Sequence, residues 1–139
     1  MKKFDFRLQK VLDYRRLEEQ WAKDALMQIR AERLLCEQRI AGCQSRRRQL
    51  LGQPMRTLED RRQLDQAVLH LDEEERLLGY ELQGMQAEEA GAMSEWQQKR
   101  EDRKVLETLW DKSYAQWVHA VNKAEQDALD EWATMRRAG

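Results

Sequence analysis

The chain has 139 residues, 37% of them charged, and its 25 basic residues stand against 26 acidic ones. A net charge of −1 disfavours a nucleic-acid-binding helical hairpin, because such proteins usually carry a broad basic face, so no nucleic-acid partner is expected. A mean hydropathy of −0.95 with a single proline excludes a thick globular core, and the composition is typical of long helices that meet along a thin apolar seam. Five tryptophans and three tyrosines argue against disorder, and the length indicates one domain, residues 1–139.

No stretch approaches the ~20 apolar residues of a membrane span, so no direct membrane insertion is expected. The N-terminus begins basic but lacks the apolar run of a signal peptide, which favours a cytoplasmic protein. Cys36 and Cys43 lie seven residues apart on one predicted helix, ~10 Å along its axis. That separation is too large for a disulfide, so both are predicted to be small core residues.

The first predicted helix covers about residues 6–51. Its seam positions alternate in steps of four and three from Leu8 to Leu50, the average spacing of 3.5 that is typical of a left-handed coiled coil. Four charged residues interrupt the seam: Arg15, Glu19, Arg33 and Arg47. The residues beside the seam either cover it or meet another protein; they are Val11, Tyr14 and Trp21.

The connecting segment, residues 52–57, contains Pro54, the only proline of the chain. Gly52 suits the left-handed conformation that often closes a helix, and Pro54 cannot continue one. Thr57 followed by Asp60 resembles a capping box that starts the next helix at Leu58. The segment therefore predicts an all-α, antiparallel two-helix coiled-coil hairpin.

The second predicted helix covers about residues 58–136, and its seam continues from Leu64 to Trp96. Three internal glycines, Gly79, Gly84 and Gly91, soften it, and a break there that gives three helices is the alternative. Folding the arms back about residues 54–55 places residue i near residue 109 − i. This register predicts Arg33 opposite Glu75 and brings Glu19 towards Glu89.

The two arms are unequal, with ~70 Å of helix in the first and ~120 Å in the second. Beyond about Arg103 the second helix therefore has no predicted partner within the hairpin, although its apolar stripe becomes richer in aromatic residues. Trp and Tyr are enriched in protein interfaces. The N-terminal residues, a second copy of the chain or a different protein would cover this stripe. Its candidate partner-binding residues are Trp110, Tyr114, Trp117 and Trp132.

The sequence contains no motif that indicates catalysis. His70 lies in an acidic run typical of a solvated helix face, and His119 stands alone. No His or Cys pair has zinc spacing, and no glycine-rich loop follows a strand to hold phosphate. The prediction is a non-enzymatic protein without catalytic residues, metal or cofactor.

Two stretches near the ends of the chain form a distinctive pattern. The first is Phe4-Asp5-Phe6-Arg7-Leu8-Gln9-Lys10-Val11-Leu12-Asp13-Tyr14-Arg15. The second comprises Lys104-Val105-Leu106-Glu107-Thr108-Leu109, Tyr114 and Asp130-Glu131-Trp132-Ala133. Together they resemble the FliJ family of flagellar export proteins. The two ends match in order and at suitable separation, whereas the middle carries generic coiled-coil residues.

The resemblance implies an antiparallel coiled coil similar to the central stalk of rotary ATPases, within the type III export apparatus of the bacterial flagellum. It implies work with the export ATPase FliI, its regulator FliH, the export gate FlhA and export chaperones, hence a role in motility and chemotaxis. It also implies a peripheral position at the cytoplasmic face of the inner membrane. The stalk of a virulence injectisome and a free-standing homodimeric coiled-coil scaffold are the alternatives.

Overall fold

The computed structural model of the protein describes residues 3–138, so Met1, Lys2 and Gly139 lie outside the described part. It contains two helices, α1 (Gln9–Leu51, 43 residues) and α2 (Leu58–Ala138, 81 residues), and no strand among the described residues. The predicted all-α hairpin with a longer second helix is confirmed. α2 runs unbroken past Gly79, Gly84 and Gly91, which contradicts the three-helix alternative.

Helix α1 begins three residues later than predicted. Residues 3–8 precede it, and the Gln9 N–H donates to the carbonyl of Phe6 at 3.0 Å. Phe6 is 7% exposed, and Phe4 packs against aromatic rings of α2. These tertiary contacts hold residues 3–8 outside α1, although the local sequence pattern predicts that the helix begins at about residue 6.

The segment between the helices confirms one capping prediction and contradicts another. The Asp60 N–H donates to Thr57 Oγ1 at 3.0 Å, while the Thr57 N–H donates to Asp60 Oδ2 at 3.3 Å, which is the reciprocal capping box. No glycine among the described residues has a positive φ, so the left-handed conformation expected at Gly52 is wrong. Instead the Gly52 N–H donates to the carbonyl of Arg48 at 3.1 Å in ordinary helical geometry.

The contacts divide the chain into two compact units. The first unit contains the residues up to Gln20 together with those from Gln97 onward, and the second unit is Trp21–Trp96. Each unit pairs a portion of α1 with a portion of α2.

The core of the second unit is a narrow line of apolar side chains. Cys36, Cys43, Leu71 and Leu78 are buried, and the partly buried residues packed against them are Ile40, Leu50, Leu82 and Met85. The Cys36 thiol donates to the carbonyl of Leu78 at 3.4 Å. Both cysteines are free and buried, as predicted, and burial raises the pKa of the Cys43 thiol.

The predicted register of the helices is wrong. The Arg33 guanidinium pairs with the Glu89 carboxylate at 2.5 Å, and Arg47 pairs with Glu75. The residue numbers of each pair add up to 122, whereas the predicted register requires 109. Neither the predicted contact of Arg33 with Glu75 nor the approach of Glu19 to Glu89 occurs, because Glu19 pairs with Arg103 at 2.6 Å.

The path of the connecting segment explains this offset. The prediction placed the ends of the two helices level with one another across a tight turn. In the structure Leu50, near the end of α1, packs against the cluster that contains Leu71. A shallow groove lies between the connecting segment and the first turns of α2, and its lining includes Gln53, Pro54, Met55, Gln63 and Leu64. An extended segment of six residues reaches ~20 Å, enough to start α2 well beyond the end of α1.

Candidate interaction surface

Four aromatic side chains in the first unit form one cluster, called here the aromatic cluster: Phe4, Trp110, Tyr114 and Trp117. The Phe4 ring meets Trp110 and Tyr114 edge-on at centroid distances of 5.3 Å each, and it lies 5.9 Å from Trp117. Trp110 stacks on Tyr114 at 5.2 Å, and Tyr114 stacks on Trp117 at 6.0 Å. Such arrangements match the quadrupoles of the rings.

The sequence determines why three of these rings share one face. Residues 110, 114 and 117 follow the four-and-three spacing that places side chains along one stripe of a helix. The Trp110 Nε1–H donates to Gln9 Oε1 at 3.2 Å, which satisfies the indole donor as its ring is partly buried. The cluster therefore has an apolar body with a hydrogen-bonded edge.

The prediction that α2 has no partner beyond Arg103 is wrong for this part of the helix. Arg16 pairs with Glu107 at 3.3 Å, Gln9 bonds Trp110, and Phe4 covers the cluster. The prediction failed because it inherited the incorrect register. The N-terminal residues, one of the three occupants left open by the sequence, supply the cover. Phe4 and Phe6 stand two residues apart, and in an extended segment this spacing places both side chains on the same side.

Ion pairs join α1 to α2 just before the aromatic cluster in the α2 sequence. Arg103 pairs with Glu19 of α1 at 2.6 Å and with Glu107 of its own helix at 2.9 Å. Lys99 donates to Glu18 at 2.8 Å, and this hydrogen bond holds the pKa of the Glu18 carboxyl below its usual range. The cluster thus sits on a part of the hairpin that charged pairs align.

The last part of α2, residues 118–138, is called here the C-terminal overhang. Three of its large apolar residues are more than half exposed: Leu129 (61%), Trp132 (58%) and Met135 (67%). Its hydrogen bonds stay within the helix, from Gln126 and Thr134 to Asp130, and Arg136 lies over the Trp132 ring at 5.1 Å. Across residues 3–138, no hydrogen bond, ion pair or ring contact joins the overhang to α1.

The structure thus separates the four predicted partner-binding residues. Trp110, Tyr114 and Trp117 share the aromatic cluster, where Tyr114 is 42% exposed and the two tryptophans are half-buried. Trp132 lies apart on the overhang. Other exposed apolar side chains of the first unit line open grooves. Val11 and Val105 lie on a groove between the helices, and Leu109 lies on one between α2 and the segment that precedes α1.

His70 and His119 are both exposed. Within residues 3–138, no group of three or more His, Cys, Asp or Glu side chains is arranged to hold a metal ion. Neither α1 nor α2, over its described length, has an apolar stretch long enough to cross a membrane.

Two long helices that pack along a seam containing charged pairs define the class of all-α coiled-coil proteins. The sequence profile of one such family, described as the flagellar FliJ protein, matches residues 3–139. The chain belongs to the FliJ family, and this membership implies a role in flagellar protein export. No curated protein and no solved structure matches the chain.

Proposed function

We propose that the chain is a non-enzymatic stalk and escort component of the flagellar type III export apparatus. It acts with the export ATPase FliI and its regulator FliH, with the export gate FlhA and with export chaperones. This places it at the cytoplasmic face of the inner membrane, held there by its partners.

The observation that carries this proposal is the exposed apolar face of the C-terminal overhang. Burying a side chain such as Leu or Met contributes ~1.5–3 kcal/mol, so three large residues left in water are a strong driving force for association. Trp132 adds the residue type most enriched in binding hot spots. Family membership supplies the flagellar context in which such a face would bind.

The aromatic cluster is the second part of the proposed interface. Tyr114 presents much of its ring to solvent while its neighbours keep it in place. Rigid aromatic residues bind at low cost in conformational entropy. Trp110, Tyr114, Trp117 and Trp132 are therefore proposed as partner-binding residues.

The test mixes the purified chain with FliI and measures ring assembly by sedimentation together with ATP hydrolysis. We expect the chain to promote both, and we expect Trp132→Ala and Met135→Ala each to raise the concentration needed by about tenfold. Leu69→Ala is the matched control, because Leu69 is as exposed as Met135 at 67% but lies on the second unit.

Two results would contradict the proposal. One is the absence of binding to FliI combined with normal motility in a strain that lacks the chain. The other is a concentration-dependent dimer that Trp117→Ala weakens while FliI has no effect, which would indicate a homodimeric scaffold instead.

A further inference from the structure

Three charged seam residues on each helix recur at a fixed spacing, while Arg15, the fourth on α1, pairs with Glu18 of the same helix. On α1, Glu19, Arg33 and Arg47 are separated by 14 residues (33 − 19 and 47 − 33), and apolar Leu26 and Ile40 lie midway between them. On α2, Glu75, Glu89 and Arg103 are separated in the same way, with Leu82 and Trp96 midway. Each helix therefore alternates charged and apolar residues at every second turn of its seam.

In the structure each of these six residues meets one of opposite sign on the other helix. The second unit pairs Arg47 with Glu75 and Arg33 with Glu89, and the first unit pairs Glu19 with Arg103. The side chains are only partly exposed, between 19% and 29%. Partial burial strengthens attraction between opposite charges and makes like charges unfavourable.

A slip of one heptad is incompatible with this alternation. It would move Arg47 opposite Val68 and Arg33 opposite Leu82, which would bury charges against apolar side chains. Removing a charge from water without a partner is costly. The alternation of residue class therefore excludes this register.

A slip of two heptads is compatible with the alternation of charged and apolar residues. Ile40 would then meet Val68, and Leu26 would meet Leu82, so apolar residues would face apolar residues again. The ends of the helices at Leu51 and Leu58 would lie level, which a tight connection allows. The signs of the charges oppose this state, because Arg47 would face Arg61 and Glu19 would face Glu89.

We propose that the signs of the charged seam residues select the register of the hairpin, and that a hairpin shifted by two heptads is the competing state they suppress. The edge-on packing of Phe4 against Trp110 adds to this selection in the first unit, since the shifted hairpin would lose it. The pairs act through specificity rather than through the modest stability that partly exposed ion pairs contribute.

The register can be measured with the native thiol of Cys43. Cys43 and Cys36 both lie in the core cluster with Leu78, so in a Cys36→Ala background a cysteine introduced by Leu78→Cys reports the observed register through a disulfide with Cys43. Leu64 lies 14 residues earlier on α2, so Leu64→Cys reports the shifted register through the same thiol. Mild oxidation and peptide mapping give the yield of each cross-link.

The decisive variant is Arg61→Glu combined with Glu89→Lys. This double substitution makes all three charged pairs of the shifted hairpin complementary. In the observed hairpin it places Arg33 opposite a residue of like charge. We expect the ratio of shifted to observed cross-link to rise at least tenfold over the native charges, a change that corresponds to ~1.4 kcal/mol.

Two further variants make the test specific. Arg62→Glu with Glu81→Lys makes the same change in composition at exposed positions outside the seam, and it should leave the ratio unchanged. Adding Arg33→Glu to the decisive variant restores attraction in the observed register and creates repulsion with Glu75 in the shifted one. The ratio of shifted to observed cross-link should therefore fall back towards its value with the native charges.

The proposal fails on any of three results. The first is an unchanged ratio in the decisive variant, and the second is an equal rise in the control outside the seam. The third is loss of the helical circular dichroism signal in the decisive variant, because a chain with a competing register available would change register instead of unfolding.

Discussion

The Phe4 side chain is expected to hold the N-terminal segment on α2, and Phe4→Ala tests this. Two edge-on ring pairs at 5.3 Å contribute ~0.5–1.5 kcal/mol each. Removal of the half-buried ring also loses about half of the ~1.5–3 kcal/mol that full burial of a phenylalanine provides. The shared contacts of the two pairs are not additive. We therefore expect the free energy of unfolding to fall by about 2 kcal/mol.

The assay combines urea unfolding, followed by circular dichroism, with acrylamide quenching of tryptophan fluorescence. Trp110 and Trp117 lose their cover in Phe4→Ala, so quenching should increase. Phe4→Leu keeps much of the apolar area but removes the ring pairs, so it should give an intermediate loss. Leu58→Ala serves as control, because Leu58 is 90% exposed.

The reasoning would be refuted by a Phe4→Ala variant whose unfolding free energy lies within about 0.5 kcal/mol of the parent and whose quenching is unchanged, since surface substitutions produce effects of that size. Such a result would mean that the N-terminal segment does not cover the aromatic cluster in solution.

Three other predictions concern the seam and the helices. Leu26→Ala, at a residue 1% exposed, should lower the free energy of unfolding by ~2–5 kcal/mol in urea titrations, and a loss below 1 kcal/mol would contradict its core position. The hydrogen bond from Arg47 lowers the pKa of the Glu75 carboxyl, so its stabilisation is present above the unfolded pKa of ~4.3 and is lost as the pH falls through the lower folded value. Glu75→Gln should therefore flatten the decline in stability between pH ~5 and ~3, and an unchanged slope would count against the pair. Gly84→Ala should raise the free energy of unfolding by ~1 kcal/mol, because a Cβ there meets open space, and a lower Tm would show that the helix needs the glycine.

The register of the two helices could not be inferred from local sequence patterns. The seam positions were recognisable from their four-and-three spacing, and the reciprocal cap at Thr57 and Asp60 was recognisable from three residues of separation. The pairing of Arg33 with Glu89 was not, because it depends on how far the connecting segment extends before α2 begins. Comparing the signs of the charges across both possible pairings would have favoured the observed register.

In the candidate interaction surface too, local spacing was predictable from the sequence, whereas the long-range contact was not. The rings of Trp110, Tyr114 and Trp117 were identifiable as one helix face, since their spacing alone places them together. Cover by the N-terminal residues was one of three alternatives, and the sequence could not choose it because the contact with Phe4 joins residues more than a hundred positions apart and depends on the register. Trp132, which α1 does not reach, kept the exposure that the sequence predicted for it.

The two helices, the segment that joins them and the apolar stripe along each helix follow from the amino-acid sequence alone. These features arise from contacts within a few residues, where propensity, capping and periodicity act directly. Long-range packing sets which residues of the two stripes meet, how much of α2 the N-terminal segment covers and where the overhang begins. Those outcomes depend on the path of a six-residue connection and on charges far apart in the chain, and no local pattern contains that information.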